Sequence, residues 1–141
     1  MKKFRLASDE VHDMTNKAVV NTITSVEGVE FVVKLDKLMQ ERGLSQRELG
    51  MITGLRAGTV NSILNGKGTT LNKVQLAALM IGLRITDLTD LIEIRFPDNI
   101  KEEFSQESES WVENKRRPQS VNQLMLDNVL LATDKSQKED K

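Results

Sequence analysis

The chain contains no cysteine and only one histidine, His12, among its 141 residues. The lack of cysteine excludes disulfides, zinc–thiolate sites, iron–sulfur clusters and cysteine nucleophiles. One histidine cannot build a histidine-rich metal cage, and any general base would have to be a carboxylate or a lysine. The chain also lacks a phosphate-binding glycine loop, a nucleophile elbow and paired catalytic carboxylates. We therefore expect no enzyme activity, no metal, no cofactor and no small-molecule substrate.

Long apolar runs are missing as well. No segment approaches the roughly 18–20 apolar residues of a membrane-spanning helix. The first residues, MKKFRLASDEVHD, are basic at first but lack the apolar core of a secretory signal. Hydrophobic residues make up 38% and charged residues 29%, which is typical of a soluble protein with one domain and appendages. The cytoplasm is the expected location, without membrane contact.

Neither sign of charge is in overall excess, because 20 basic side chains face 21 acidic ones. This balance excludes a polycationic, histone-like binder. The distribution is uneven, however, since residues 42–73 hold five bases and one acid, Glu48. Residues 1–28 are balanced, and residues 95–141 are slightly acidic. A positive window of this kind bears on the choice of partner more than the total charge does.

Apolar spacing predicts a compact all-α domain of five short helices over residues 29–94. The apolar face of the first helix comprises Phe31, Val32, Leu35, Leu38 and Met39. Gly43 follows where a left-handed C-terminal cap belongs. Ser45 and Glu48 form a capping box at the start of the second helix, and Gly54 ends that helix.

The other three predicted helices follow at short intervals. The third has an inner face of Val60, Ile63 and Leu64 and closes at Asn65-Gly66. Thr70 is expected to cap the fourth helix, and Gly82 to end it. The inner side of the fourth helix would consist of Val74, Ala77, Ala78 and Ile81. The fifth helix is indicated by Leu88, Leu91 and Ile92.

The flanks of this domain follow other patterns. Period-two alternation around Phe4 and around Ile94 predicts a short strand at each end. Residues 1–28 are predicted to be an N-terminal arm or extension, and residues 95–119 a linker. Residues 120–133 are predicted to form an amphipathic helix capped by Ser120, and residues 134–141 a disordered tail. The apolar strip within residues 120–131 is too large to stay exposed, so it either folds back or meets a protein partner.

The most informative stretch is residues 46–65, QRELGMITGLRAGTVNSILN. Two short helices that meet at about a right angle through a three-residue turn need a small residue at their contact and a residue tolerant of positive φ at the turn. They also need branched apolar residues that seal the second helix onto the first. The residues that meet these needs are Gly50, Gly54, Val60 and Ile63. This is the helix-turn-helix layout.

Residues 35–92 resemble the phage-repressor type of helix-turn-helix domain, the family of Cro, lambda repressor and Xre. The matching segments are LSQREL at 44–49, Thr53-Gly54, Thr59-Val60, ILNGK at 63–67, Ala77-Ala78 and Gly82-Leu83. The resemblance implies a five-helix bundle that inserts its third helix into the major groove of double-stranded DNA, usually as a twofold dimer.

By the same resemblance, two sets of residues would contact DNA. The base-reading set is Arg56, Ala57, Gly58, Asn61 and Ser62. The phosphate-contacting set is Gln46, Arg47, Thr59, Asn65 (largely through its backbone) and Lys67. Asn61 is suited to adenine, and Arg56 either to guanine or to a phosphate.

Direct reading by this helix is expected to be limited, because Ala57 and Gly58 offer only a methyl contact or a close backbone approach. Specificity would then depend also on DNA shape. The basic start of the chain is either a minor-groove arm or a solubilising terminus, and its cations are Lys2, Lys3 and Arg5.

The sequence thus predicts a sequence-specific transcriptional regulator, a repressor of a phage, plasmid or other bacterial mobile element, acting as a homodimer. The alternative is an antitoxin or interaction adaptor that works mainly through its terminal extensions, with residues 120–131 as a protein contact. Three dimer contacts stay open, namely residues 88–96, an N-terminal strand, and the helix after Pro118.

Overall fold

Seven helices and three short strands make up the residues that the computed structural model describes, which are 1–6, 16–67 and 70–139, with side chains as far as residue 132. In chain order they are β1 (Lys2–Arg5), α1 (Lys17–Thr24), β2 (Glu30–Val33), α2 (Leu35–Glu41), α3 (Gln46–Thr53), α4 (Ala57–Leu64), α5 (Lys73–Leu83), a 3-10 turn (Leu88–Asp90), β3 (Ile92–Arg95), α6 (Asp98–Asn114) and α7 (Gln119–Glu139). His12 lies outside the described residues. The chain is mostly helical, as predicted, but it also contains a small sheet.

The described residues fall into two units. The first unit combines Met1–Arg5 with Glu30–Arg95, and the second contains the remaining segments. The predicted helix-turn-helix and its sheet belong to the first unit, whereas α1, α6 and α7 belong to the second. None of the described helices is long and apolar enough to cross a membrane.

The three strands form one antiparallel sheet in the order β1-β2-β3. The two outer strands lie where period-two alternation predicted strands. The central strand β2 was not predicted, and the assignment of Phe31 and Val32 to the first helix was wrong. This short apolar run pairs with a strand on each side and buries Val32 and Val33. Periodicity alone cannot separate such a run from a buried piece of helix.

The core of the first unit is built from aliphatic side chains contributed from β2 through β3. Its buried members are Val33, Leu35, Leu38, Met39, Leu49, Val60, Leu64, Leu79, Leu83, Leu91 and Ile92. Fully burying a side chain of this size contributes about 1.5–3 kcal/mol relative to leaving it exposed. Because α3 and α4 each contribute to this core, their mutual orientation is set by the same packing that stabilises the unit.

The buried side of α5 is not the predicted one. Leu79 and Leu83 are buried, whereas Val74 and Ile81 are 70% and 65% exposed. Ala77 is exposed as well and Ala78 is half-buried. The helix carries apolar residues on both sides, so spacing alone could not identify the side that faces the core.

Three predicted helix boundaries also differ from the structure. Asn72, instead of Thr70, caps α5 by accepting hydrogen bonds from the first backbone amides of the helix. The helix continues past Gly82, which does not end it. The predicted fifth helix is reduced to the single turn Leu88–Asp90, because the chain enters β3 at Ile92. The start of α5 thus depends on which of two possible capping side chains, Thr70 or Asn72, accepts from the first backbone amides.

In the second unit, α7 packs against α1. The side chain of Asn128 links the two helices, because its Oδ1 accepts from Asn21 Nδ2 at 3.0 Å and its Nδ2 donates to Thr22 Oγ1 at 2.9 Å. This amide bridge accompanies a half-buried apolar side of α7.

Helical structure extends beyond the predicted C-terminal helix in both directions. Residues 98–114, assigned from the sequence to a linker, form the 17-residue helix α6, none of whose side chains is buried. Most residues of this segment are polar or charged, which favoured the linker interpretation. The helix α7 includes residues 120–133 and continues through 134–139 of the segment predicted to be disordered. Ser120 does not cap it, because the helix already begins at Gln119; the Ser120 hydroxyl donates to Glu107 instead.

Candidate nucleic-acid interface

A capping box at the start of α3 determines where Gln46 and Arg47 lie. Ser45 Oγ accepts from the backbone N–H of Glu48, and Glu48 Oε1 accepts from the backbone N–H of Ser45, each at 3.1 Å. The hydrogen bond from the Ser45 backbone lowers the pKa of the Glu48 carboxyl, and a smaller contribution from the Ser45 side chain lowers it further. Gln46 and Arg47 follow in the first turn and are exposed.

Two glycines shape the turn between α3 and α4. Gly54 adopts a left-handed conformation, with φ of +80°, and its N–H donates to the carbonyl of Gly50 at 2.8 Å. A Cβ added at Gly50 would lie 3.0 Å from the carbonyl oxygen of Leu55. Only glycine fits both requirements without strain. Both residues lie where the helix-turn-helix layout requires them.

The helix α4 has one buried and one exposed side. Val60 and Leu64 are buried, and Ile63 packs against the core. Residues spaced by three and four positions share a side of a helix. The other side carries four of the predicted base-reading residues, namely Ala57, Gly58 and Asn61, which are exposed, and Ser62, which is half-buried.

Nothing inside the protein requires glycine at position 58, because a Cβ added there would meet no atom within 4 Å. Thr59, predicted to contact phosphate, follows it in the helix and is half-buried. The start of α4 therefore offers a bare backbone surface, which a bound molecule could approach closely.

Three exposed cations flank this surface in the sequence. Arg56 precedes α4 in an extended conformation and makes no capping hydrogen bond, and Arg47 and Lys67 are exposed as well. Within residues 1–6, 16–67 and 70–132, no carboxylate forms an ion pair with any of the three. Arg42, by contrast, serves the fold, because its guanidinium donates to carbonyls of α2 and α5. Unpaired cations of this kind are suited to neutralising phosphates.

The predicted backbone contact of Asn65 with phosphate is not available in this geometry. Its N–H donates to the carbonyl of Asn61 at 3.1 Å, and the N–H groups of Gly66 and Lys67 are likewise bonded to carbonyls of α4. The side chain of Asn65 is engaged too, since Nδ2 donates to Asn61 Oδ1 at 2.8 Å and Oδ1 accepts from Lys2 Nζ at 2.8 Å.

The basic start of the chain is a strand of the sheet, so the interpretation as a free minor-groove arm was wrong. Backbone pairing places Lys2 opposite Val33 and Phe4 opposite Phe31. Lys2 and Phe4 share one side of β1, which faces the end of α4. Sequence reasoning missed this position of Lys2, although the alternation around Phe4 had already indicated a strand.

The described residues contain no cluster of three His, Asp or Glu side chains that could hold a metal ion. Comparisons with curated proteins and with solved structures gave no match. A family model described as a Cro/C1-type HTH DNA-binding domain matches residues 34–97. This stretch begins at the cap of α2, ends just after β3 and includes the capping box, the glycine turn and the two-sided α4. Residues 34–97 of this chain are therefore similar to the helix-turn-helix domains of the Cro/C1-type DNA-binding family.

Proposed function

We propose that this DNA-binding regulator is a repressor that inserts α4 into the major groove of a specific operator. The observation that carries the proposal is the exposed side of α4, which lies between the unpaired cations Arg56 and Lys67 while its opposite side is buried in the core. Occupying an operator excludes polymerase and needs no catalytic group. The family match gives no support to the alternative of an antitoxin or adaptor.

The roles of the individual residues follow from their chemistry. Arg56 and Asn61 provide the two side chains of the exposed surface that can form paired hydrogen bonds with base edges. Ala57 and Gly58 let the backbone approach the bases, and Ser62 adds a hydroxyl at the edge of the surface. The phosphate-contacting set is Gln46, Arg47, Thr59 and Lys67. The first two lie at the N-terminus of α3, where the helix dipole favours an anion.

Arg56→Ala and Asn61→Ala should each remove most of the preference for a duplex that the wild-type protein selects from a randomised pool. A paired hydrogen bond to a base is worth about 1–3 kcal/mol, so we expect the ratio of specific to scrambled affinity to fall roughly 5- to 150-fold. Fluorescence anisotropy across a salt series measures both affinities, and circular dichroism checks that the variants fold.

The matched control is Lys37→Ala, which removes an exposed cation of α2 that pairs with Glu41 at 3.8 Å. This control should keep the preference, because an exposed pair of this kind contributes little. Selection of no sequence by the wild-type protein, or an unchanged preference in both α4 variants, would contradict groove reading by α4.

We further propose that the repressor is a homodimer formed through α7. The half-buried side of this helix packs toward α1, but a second apolar side is between 41% and 65% exposed and consists of Met125, Leu126, Val129 and Leu130. Their spacing places them together on one face. A second copy would remove that face from water, and a twofold dimer would present two α4 helices to two half-sites.

The double variant Leu126→Glu/Leu130→Glu should convert the dimer to a monomer, because four like charges would meet at the twofold contact. Sedimentation velocity should show twice the 15.9 kDa chain mass for the wild type and the single mass for the variant. Gln106→Glu/Ser108→Glu adds the same charge to exposed polar positions of α6, outside the proposed contact, and should stay dimeric. A dimer that survives the leucine substitutions would place the interface elsewhere.

A further inference from the structure

Three polar side chains form a continuous hydrogen-bonded chain at the end of α4. Lys2 Nζ donates to Asn65 Oδ1 at 2.8 Å. Asn65 Nδ2 in turn donates to Asn61, to Oδ1 at 2.8 Å and to the backbone carbonyl at 2.9 Å. Lys2 and Asn61 are exposed and Asn65 is half-buried. The chain thus runs along the surface from β1 to a residue of the proposed groove-reading side.

The chemistry of lysine sets the direction of these hydrogen bonds. An ammonium group has three donors and no acceptor, whereas an asparagine amide presents either its oxygen or its nitrogen, depending on how it is turned. Beside Lys2, Asn65 has to present Oδ1, so its Nδ2 is directed to Asn61. Asn61 then uses Oδ1 to accept that bond, which leaves its own Nδ2, with two N–H donors, for another partner.

The fold holds Lys2 at this place. The residue before it carries the terminal ammonium, which lies 3.4 Å from a carboxylate oxygen of Asp36. The residue after next, Phe4, covers Gly66 so closely that a Cβ there would lie 2.4 Å from the phenyl ring. Because Lys2 sits in a paired strand between these two contacts, its ammonium is directed to Asn65 with little loss of backbone entropy.

We propose that Lys2 is a positioning residue for base recognition, which holds the Asn61 amide with its nitrogen toward the groove. The base edge that faces Asn61 would then preferably offer an acceptor, such as purine N7, guanine O6 or thymine O4. Cytosine, which presents an amino donor in the major groove, would be disfavoured there. This inference rests on the proposed function, since it specifies how α4 reads one position of its site.

The test compares Lys2→Met with Lys3→Met. Both substitutions remove one positive charge from β1, but alternation along the strand places Lys3 on the opposite side from Asn65. Affinities are measured for the duplex selected by the wild type and for all its single-base variants. At the base pair where Asn61→Ala reduces the preference for the selected base, we expect Lys2→Met to reduce that preference by at least about fivefold as well. Lys3→Met should keep that discrimination, and Lys2→Arg, which also has donors only, should restore it.

A second readout uses the free protein and needs no DNA. The side-chain amide resonances of Asn61 and Asn65 in ¹⁵N-edited NMR spectra should shift in Lys2→Met and stay in place in Lys3→Met. If the resonances do not move, or if Lys2→Met weakens binding to all duplexes equally, the positioning role is wrong. If the wild-type protein selects no sequence, both the proposed function and the positioning role are wrong. If the wild type does select a sequence and Lys2→Met discriminates among its single-base variants equally well, only the positioning role is wrong.

Discussion

Leu79→Ala should lower the free energy of unfolding by about 3 kcal/mol, whereas Val74→Ala in the same helix should change it by less than about 0.5 kcal/mol. Leu79 is 0% exposed in the core of the first unit, so truncation loses transfer energy and leaves a cavity. Val74 is 70% exposed, and alanine has the higher helix propensity at such a position. Urea unfolding followed by circular dichroism at 222 nm measures both values.

A second pair of substitutions, Leu83→Ala and Ile81→Ala, repeats this comparison further along α5. Leu83, which is 2% exposed, should behave like Leu79, and Ile81, which is 65% exposed, like Val74. The opposite ranking within both pairs would mean that α5 buries the side indicated by sequence spacing, and that the packing described for the first unit is incorrect.

Gly66→Ala should destabilise the first unit by about 3 kcal/mol, for two separate reasons. Gly66 has a φ of +59°, and a side chain in this left-handed region costs on the order of 1 kcal/mol or more. The added Cβ would also lie 2.4 Å from Cε2 of Phe4. The ring is packed between β1 and the core, so relief of this contact requires a shift of the strand, and such overpacking typically costs about 1–3 kcal/mol.

Gly43→Ala separates the two costs. Gly43 has a similar φ of +62°, but a Cβ there would meet nothing within 4 Å, so this variant should lose only about 1 kcal/mol. Thermal unfolding of both variants side by side measures the difference. Equal losses would show that Phe4 does not pack on Gly66 and that β1 lies elsewhere. A displaced β1 should also release Lys2 from Asn65, so Gly66→Ala is expected to reduce base discrimination as well.

The helix-turn-helix could be predicted from the sequence because its determinants act over a few residues. The capping box joins Ser45 to Glu48 three positions away, and the left-handed Gly54 ends α3 by its own backbone conformation. The inner face of α4 followed from spacing because only one side of that helix is apolar. The exposed residues of α4 were then the natural candidates for DNA contact.

Other features could not be predicted because they depend on residues far away in the chain. β2 was assigned to a helix, since its strand identity comes from pairing with β1 and β3. The burial of Leu79 instead of Val74 was decided by the neighbours that α5 meets, as both its sides are apolar. The helix α6 buries no side chain, and its polar composition had favoured a linker.

The helix-turn-helix, its turn and the exposed surface of α4 were predictable from the sequence, because hydrogen bonds and φ preferences within a few residues specify them. Only the tertiary structure shows that the N-terminal strand pairs with β2, that Phe4 covers Gly66 and that Lys2 reaches Asn65, 63 positions away. Contacts of that separation form only after the chain has closed a long loop, and no local pattern of residues encodes which partners will meet.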